Sequence, residues 1–99
     1  MINPRITANR GSDIDWELIW RLDDGSPADL TGWSIQLIDL SPDFVGRATV
    51  QIADEANGRI TGRIEWNTVL ATRQNYFFRP QITLGIEDRS TNLIQVRYK

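Results

Sequence analysis

Between Ile14 and Leu22 the chain reads Ile-Asp-Trp-Glu-Leu-Ile-Trp-Arg-Leu, and every second residue is large and apolar. On a helix, side chains two positions apart point to nearly opposite sides, so this spacing builds no apolar face. On a strand, Ile14, Trp16, Leu18, Trp20 and Leu22 share one face, and Asp15, Glu17, Ile19 and Arg21 share the other. The stretch therefore predicts a long strand buried on one side. It also assigns Trp16 and Trp20 to a core, because aromatics in phase with Ile14 and Leu18 are packing residues rather than an exposed platform for a sugar or a base.

The same alternation recurs between turn residues. Asp24-Gly25 and Pro27 end the first run. Trp33, Ile35 and Leu37 lead a second, whose phase blurs at Ile38 and Leu40, predicting a bulge or a move between sheets. Residues 41–47 read as a loop from Pro42 and Gly46, with Phe44 and Val45 at its tip. Ala48, Val50 and Ile52 precede the Asn57-Gly58 turn. Ile60, Ile64 and Trp66 follow, with Gly62 between them marking a bulge or a close approach. One short helical turn is expected near 67–73, capped by Asn67 or Thr68, with Val69 and Leu70 packed beneath.

Tyr76, Phe78, Ile82, Leu84 and Ile86 then share a face, Pro80 predicts an edge or a bulge, and the last turn is placed at 88–92. Ile94, Val96 and Tyr98 close the chain facing inward. Residues 1–10, with Ile2 and Ile6, suit either a first strand or an arm reaching a neighbouring subunit. About six to eight strands at this spacing predict a single all-β domain over 1–99, an antiparallel β-sandwich in preference to a barrel.

Composition removes whole classes of chemistry. The 99 residues contain no cysteine and no histidine, which excludes disulfides, thiolate metal sites and serine–histidine or cysteine–histidine catalysis. A net charge of −2 gives no electrostatic reason to bind nucleic acid. No glycine-rich phosphate loop occurs, no signal-peptide pattern opens the chain, and no run approaches a membrane span. The cationic side chains are ten arginines and Lys99. Arginine is enriched at protein interfaces, although codon bias accounts for the ratio as well.

Carboxylates are the remaining acid–base tools. Asp13, Asp15 and Glu17 stand about 7 Å apart on one strand face, a separation glycosidases use, but alternating charge is what a half-exposed strand requires. Asp23, Asp24 and Asp29 surround Gly25 without the oxygen spacing of a calcium loop, and a turn explains them. No cofactor and no metal is expected. The exposed aromatics are expected in loops, at Phe44 and Tyr76. Phe44, Arg47 and Arg73 are the candidate protein-contact residues, the alternative for Phe44 being to fold back over the end of the sandwich.

The segment "GSDIDWELIWRLDDGSPADLTGWSIQL" resembles the opening of small immunoglobulin-like domains of tailed bacteriophages, in which "DG-x-P-x-DLTG" joins two aromatic strands. "NYFFRPQITLGIEDRSTNLIQVRY" is similar to their closing hairpin. The nearest named relative is the N-terminal domain of phage upper-baseplate proteins, and the distinctive match is "DGSPADLTGW". The resemblance implies an Ig-like sandwich and a non-catalytic structural protein of the virion, assembled in the host cytoplasm. Its partners would be other virion proteins, with several copies per particle or a homo-oligomer, and neither nucleic acid nor membrane. A tail or baseplate adaptor and a capsid decoration protein both fit, and a carbohydrate-binding module for host surfaces is the rival from another class. The resemblance extends to no appended fibre, stalk or head domain, so a role in docking such a head is not among its expectations.

Overall fold

The computed structural model describes residues 5–72 and 75–98. Eight strands occur among them: β1 (Arg5–Ala8), β2 (Ile14–Ile19), β3 (Ser34–Ile38), β4 (Ala48–Asp54), β5 (Arg59–Ile64), β6 (Asn75–Leu84), β7 (Glu87–Ser90) and β8 (Ile94–Tyr98). One sheet has the order β1-β8-β6-β3, with β7 also on β6, and the other has the order β2-β5-β4. The chain is an all-β sandwich, as its alternation predicts. All pairs but one are antiparallel. β1 lies parallel to β8, from Arg5 opposite Gln95 to Ala8 opposite Tyr98. Nearly the whole domain separates these two strands in sequence, so no hairpin dictates their direction. The N-terminal segment is thus a strand of its own sheet from Arg5 onward.

The two sheets meet through Trp16. Its partner across the β2–β5 ladder is Gly62, and a Cβ placed on Gly62 would stand 2.2 Å from the indole ring. Gly62 is the close approach that its place in the strand suggests, and the ladder runs through it without a bulge. Seated there, the Trp16 ring reaches Phe78 of the opposite sheet, with centroids 5.0 Å apart and planes tilted by 41°. Ile14, Ile60, Ile64, Ile82 and Val96 fill the space around this contact.

Partner strands bend around the middle of β6. Pairing on one side passes from Phe78–Ile94 to Gln81–Ser90, so three residues, 91–93, stand opposite Arg79 and Pro80. Proline lacks an N–H for a ladder, and the bulge in the partner removes the need for one. On the other side, pairing runs from Ile38–Arg79 to Ser41, whose N–H donates to the Phe77 carbonyl at 3.0 Å. Three steps there match two on β6, and the extra residue falls at Asp39, whose φ is 49°. This bulge accounts for the phase blur after Leu37.

Other departures from the alternation are local. Residues 42–44, expected as loop, form a 3₁₀ turn, the second beside Thr68–Thr72. In the latter, the Asn67 side chain accepts from the Val69 N–H at 3.1 Å and Leu70 is fully buried, matching the expected cap and anchor. The Tyr76 hydroxyl donates to the Leu70 carbonyl at 3.0 Å, tying this corner to the start of β6. Tyr76 is therefore interior, and the exposed aromatic is its neighbour Phe77.

Three inward assignments fail, at Leu22, Leu84 and Ile86, Leu84 being 43% exposed at the end of β6. Leu22 is 54% exposed, because β2 ends at Ile19 and the chain then turns away from β5. Ile86 is fully exposed, because Gly85 and Ile86 are a two-residue hairpin turn between Leu84 and Glu87, which face each other. The last turn thus falls three residues before the expected 88–92.

Gly62→Ala forces its methyl into the indole, and overpacking of this kind costs about 1–3 kcal/mol. Urea unfolding should show that loss in the wild-type background and a smaller one beside Trp16→Leu, where the ring is gone. Equal losses in both backgrounds would contradict the seating of Trp16 on Gly62.

Candidate functional site

At the end of the sandwich where β2 stops, the chain from Trp20 to Trp33 forms one wall of a cleft. Trp20 donates its N–H to the Gly58 carbonyl at 2.8 Å, and its own carbonyl accepts from the Ala28 N–H at 2.8 Å. Between these anchors a small hairpin is closed by the Leu22 N–H to the Ser26 carbonyl at 2.8 Å and the Gly25 N–H to the Leu22 carbonyl at 2.9 Å. Gly58 is what allows this docking. It has a φ of 64°, and a Cβ there would stand 2.7 Å from the Trp20 carbonyl oxygen and 2.8 Å from that of Ala28.

Two short carboxylate motifs shape the wall. Asp24 Oδ1 accepts from the Ser26 N–H at 2.9 Å and hydroxyl at 2.6 Å, and Asp29 Oδ1 accepts from the Thr31 N–H at 3.0 Å and hydroxyl at 2.6 Å. These hydrogen bonds, the hydroxyl ones foremost, hold both carboxyls below their ordinary pKa. Leu30, almost wholly buried, plugs the end of the core and donates its N–H to the Glu55 carbonyl at 2.7 Å. The "DGSPADLT" motif is thus two aspartate-closed turns around a buried leucine.

The opposite wall comes from the other sheet, with Ile82 on β6 and Glu87 and Arg89 on β7. The cleft holds about 560 Å³, and Trp20, Leu22 and Trp33 supply its apolar surface. Trp20 and Trp33 are half-buried, so each presents part of its ring. Leu84, 43% exposed, packs towards Gly32 beside the cleft, and the Ile86 tip projects next to it. An open cleft with two indole edges, aliphatic neighbours and a charged rim is suited to holding a surface group of another molecule.

The residues singled out in the sequence for contact lie elsewhere. Phe44 is completely buried and stacks on Tyr76 with centroids 4.9 Å apart, so it is core and presents no contact surface. The 3₁₀ turn explains this correction: it points Phe44 inward and leaves Val45, 63% exposed, at the tip. Arg47 is half-buried, and its Nη1 donates to the Asp43 carbonyl at 3.0 Å, so the side chain braces the same turn. Arg73 lies outside the described residues. This loop joins the end of β3 to β4, at the opposite end of the sandwich from the cleft.

Asp13, just before β2, and Asp15 and Glu17 on it face outward in ion pairs. Arg63 bridges Asp13 at 2.7 Å and Asp15 at 3.5 Å, and Arg59 meets Glu17 at 3.0 Å. Asp13 also accepts the Trp66 N–H at 2.7 Å, and this bond, followed by Arg63, lowers its pKa from the ordinary 3.8. An arginine-paired carboxyl held low is a poor proton donor near neutrality. Among the described residues, no group of three or more histidine, cysteine, aspartate or glutamate side chains is placed to hold a metal ion.

Sequence reasoning missed the cleft because its parts looked like turn and core. The Leu-Gly-Ile-Glu order at 84–87 carried one usable signal, since glycine at the first position of a two-residue turn suits a tight hairpin. No protein-family model matches the chain, no curated protein is significantly similar to it, and no solved structure matches its fold significantly.

Phe44→Ala should cost about 3–5 kcal/mol of unfolding free energy, the range for a buried phenylalanine. A change near zero in chemical denaturation would return Phe44 to the surface. The lowered carboxyls set an acid limb: a folded pKa below the unfolded one adds stability above the ordinary 3.8 that is lost as pH falls through the folded value. Asp13→Asn should therefore show a shallower fall of the thermal midpoint than wild type from about pH 4 to about pH 2, read by circular dichroism.

Proposed function

We propose that the chain is a non-catalytic, Ig-like structural domain of a tailed-phage virion, which docks on other virion proteins through the cleft end. The observation that carries the docking role is the fully exposed Ile86 at the β6–β7 hairpin tip, with exposed Leu84 preceding it and exposed Leu22 lining the cleft that Glu87 also lines. Large aliphatic side chains gathered at one end of a small domain mark a contact surface, since burying them against a partner is favourable.

The Ig-like part of the reading rests on three further features. The orders β2-β5-β4 and β3-β6-β8 correspond to the B-E-D and C-F-G connectivity of immunoglobulin sandwiches. Tyr76, at the start of the F-equivalent strand and bonded to a carbonyl six residues upstream, has the form of a tyrosine corner. Phe78 then stands two residues further on, where antibody domains place the second cysteine of their inter-sheet disulfide. Its contact with Trp16 on the B-equivalent strand takes the place of that bridge. On this reading the cleft lies among the B–C, D–E and F–G loops.

A tail or baseplate adaptor is the reading preferred here, from the resemblance of "DGSPADLTGW", with capsid decoration as the alternative position. A carbohydrate-binding role has one observation in its favour, the partly exposed rings of Trp20 and Trp33 in the cleft. The aliphatic tip argues against it, because a glycan would leave Leu84 and Ile86 in water.

The test is made on purified particles of the phage whose genome encodes this chain. The protein should co-purify with them, at a copy number far below that of the major capsid protein for a tail position. Parity with the capsid protein would indicate decoration, and absence from the particles would refute the virion role. Ile86→Asp should abolish incorporation without lowering the thermal midpoint, because Ile86 makes no core contact. Normal incorporation of that variant would remove the cleft end from the docking role.

A further inference from the structure

The cleft is unbalanced in charge. Its lining brings Asp23, Asp24, Asp29 and Glu87 together with only two cations, Arg21 and Arg89. Both guanidiniums are already engaged. Arg89 holds Glu87 Oε1 through Nε at 2.8 Å and Nη2 at 2.6 Å, and Arg21 Nη1 donates to the Gly25 carbonyl at 3.0 Å. Asp24 and Asp29 have no cationic partner among the described residues, and their turn hydrogen bonds favour the ionised form. The Asp23 side chain has no partner at all among those residues. Arg89 is neutralised by Glu87 and Arg21 offsets one aspartate, so the four acids and two arginines leave a net negative charge over a groove walled by Trp20, Trp33 and Leu22.

Resting on the docking reading above, we infer that the cleft receives an arginine side chain flanked by aliphatic residues, presented by the partner protein. Each part of the lining has a use for that group. The planar guanidinium can pack on the exposed part of an indole and still direct its N–H donors to carboxylates. Its charge supplies what the rim lacks, and charge-assisted hydrogen bonds to Asp23 fix its direction. The flanking aliphatic side chains meet Leu22, Leu84 and Ile86, whose burial supplies the apolar contribution. An anionic segment would face a cleft of net negative charge, and a neutral glycan would leave both the charge and the aliphatic rim unmatched.

The experiment is an NMR titration of the ¹⁵N-labelled full chain with N-acetyl-Leu-Arg-Leu-amide, with the same tripeptide carrying glutamate for arginine, and with maltotriose. The arginine peptide should move the indole N–H signals of Trp20 and Trp33 and the amides of 22–25, while the glutamate peptide and the sugar leave them in place. Asp23→Asn, which disturbs no contact of the fold, should weaken the arginine peptide by about fivefold, as expected for one exposed charge pair. Unmoved indoles with the arginine peptide, or equal shifts with the glutamate peptide, would overturn the inference. Shifts confined to maltotriose would overturn it too and assign the cleft to carbohydrate. If Ile86→Asp abolishes incorporation into particles while the arginine peptide leaves the indoles unmoved, the docking role stands and only the arginine preference falls.

Discussion

The contact of Trp16 with Gly62 and Phe78 is the constraint on which the two sheets depend. An indole is large, and this one lies across the ladder where a side chain at the facing position would stand. Gly62 supplies that space opposite Trp16, and the ring then spans the core to Phe78. With no cysteine in the chain, sheet-to-sheet attachment comes from packing alone. The contact is strong enough in aggregate to hold the Trp16 ring although its Nε1–H finds no acceptor among the described residues.

The two ends of the sandwich are packed differently. At one end Phe44, Tyr76, Tyr98 and Trp66 form a continuous series of ring contacts, each pair 4.9–5.9 Å between centroids. Burial there, followed by the charges of Tyr76 and Asp13, pushes the Tyr98 hydroxyl up to about 12, so it stays neutral in the interior. That end is closed by its own aromatics. At the other end the aromatics sit in the wall rather than in the lid: Trp20 and Trp33 face a cleft, and Leu22, Leu84 and Ile86 remain outside. Large aromatics that one end buries within the chain stand at the other in the wall of an open cleft.

The architecture was more legible in the sequence than the cleft. Ile14, Trp16 and Leu18 set a period that only a strand explains, Pro80 and the blurred phase after Leu37 both marked real bulges, and Asn67 marked a real cap. These are local effects of backbone geometry, which neighbouring residues report. Ile86 was read the wrong way round, and of the two readings open for Phe44 the structure takes the one that folds it back over the end of the sandwich. Both sit where the chain turns: the period that assigned Ile86 carries no information about direction through a turn, and loop composition at 41–47 says nothing of which side chain points inward. A 3₁₀ turn took Phe44 inward, and a two-residue hairpin put Ile86 out.

The amino-acid sequence by itself determined the strands, the inward set on most of them and the absence of cysteine and histidine chemistry, because period and composition depend on residues close along the chain. It did not contain the cleft in readable form. Trp20, Trp33, Asp23 and Arg89 come from segments up to about seventy residues apart, and their neighbourhood exists only once Gly58 admits the 20–30 loop and β6 pairs with β7. Tertiary structure alone decided which apolar residues were left uncovered and which carboxylates lacked a cation. Both are properties of what packs against a side chain, and packing partners are chosen by the fold.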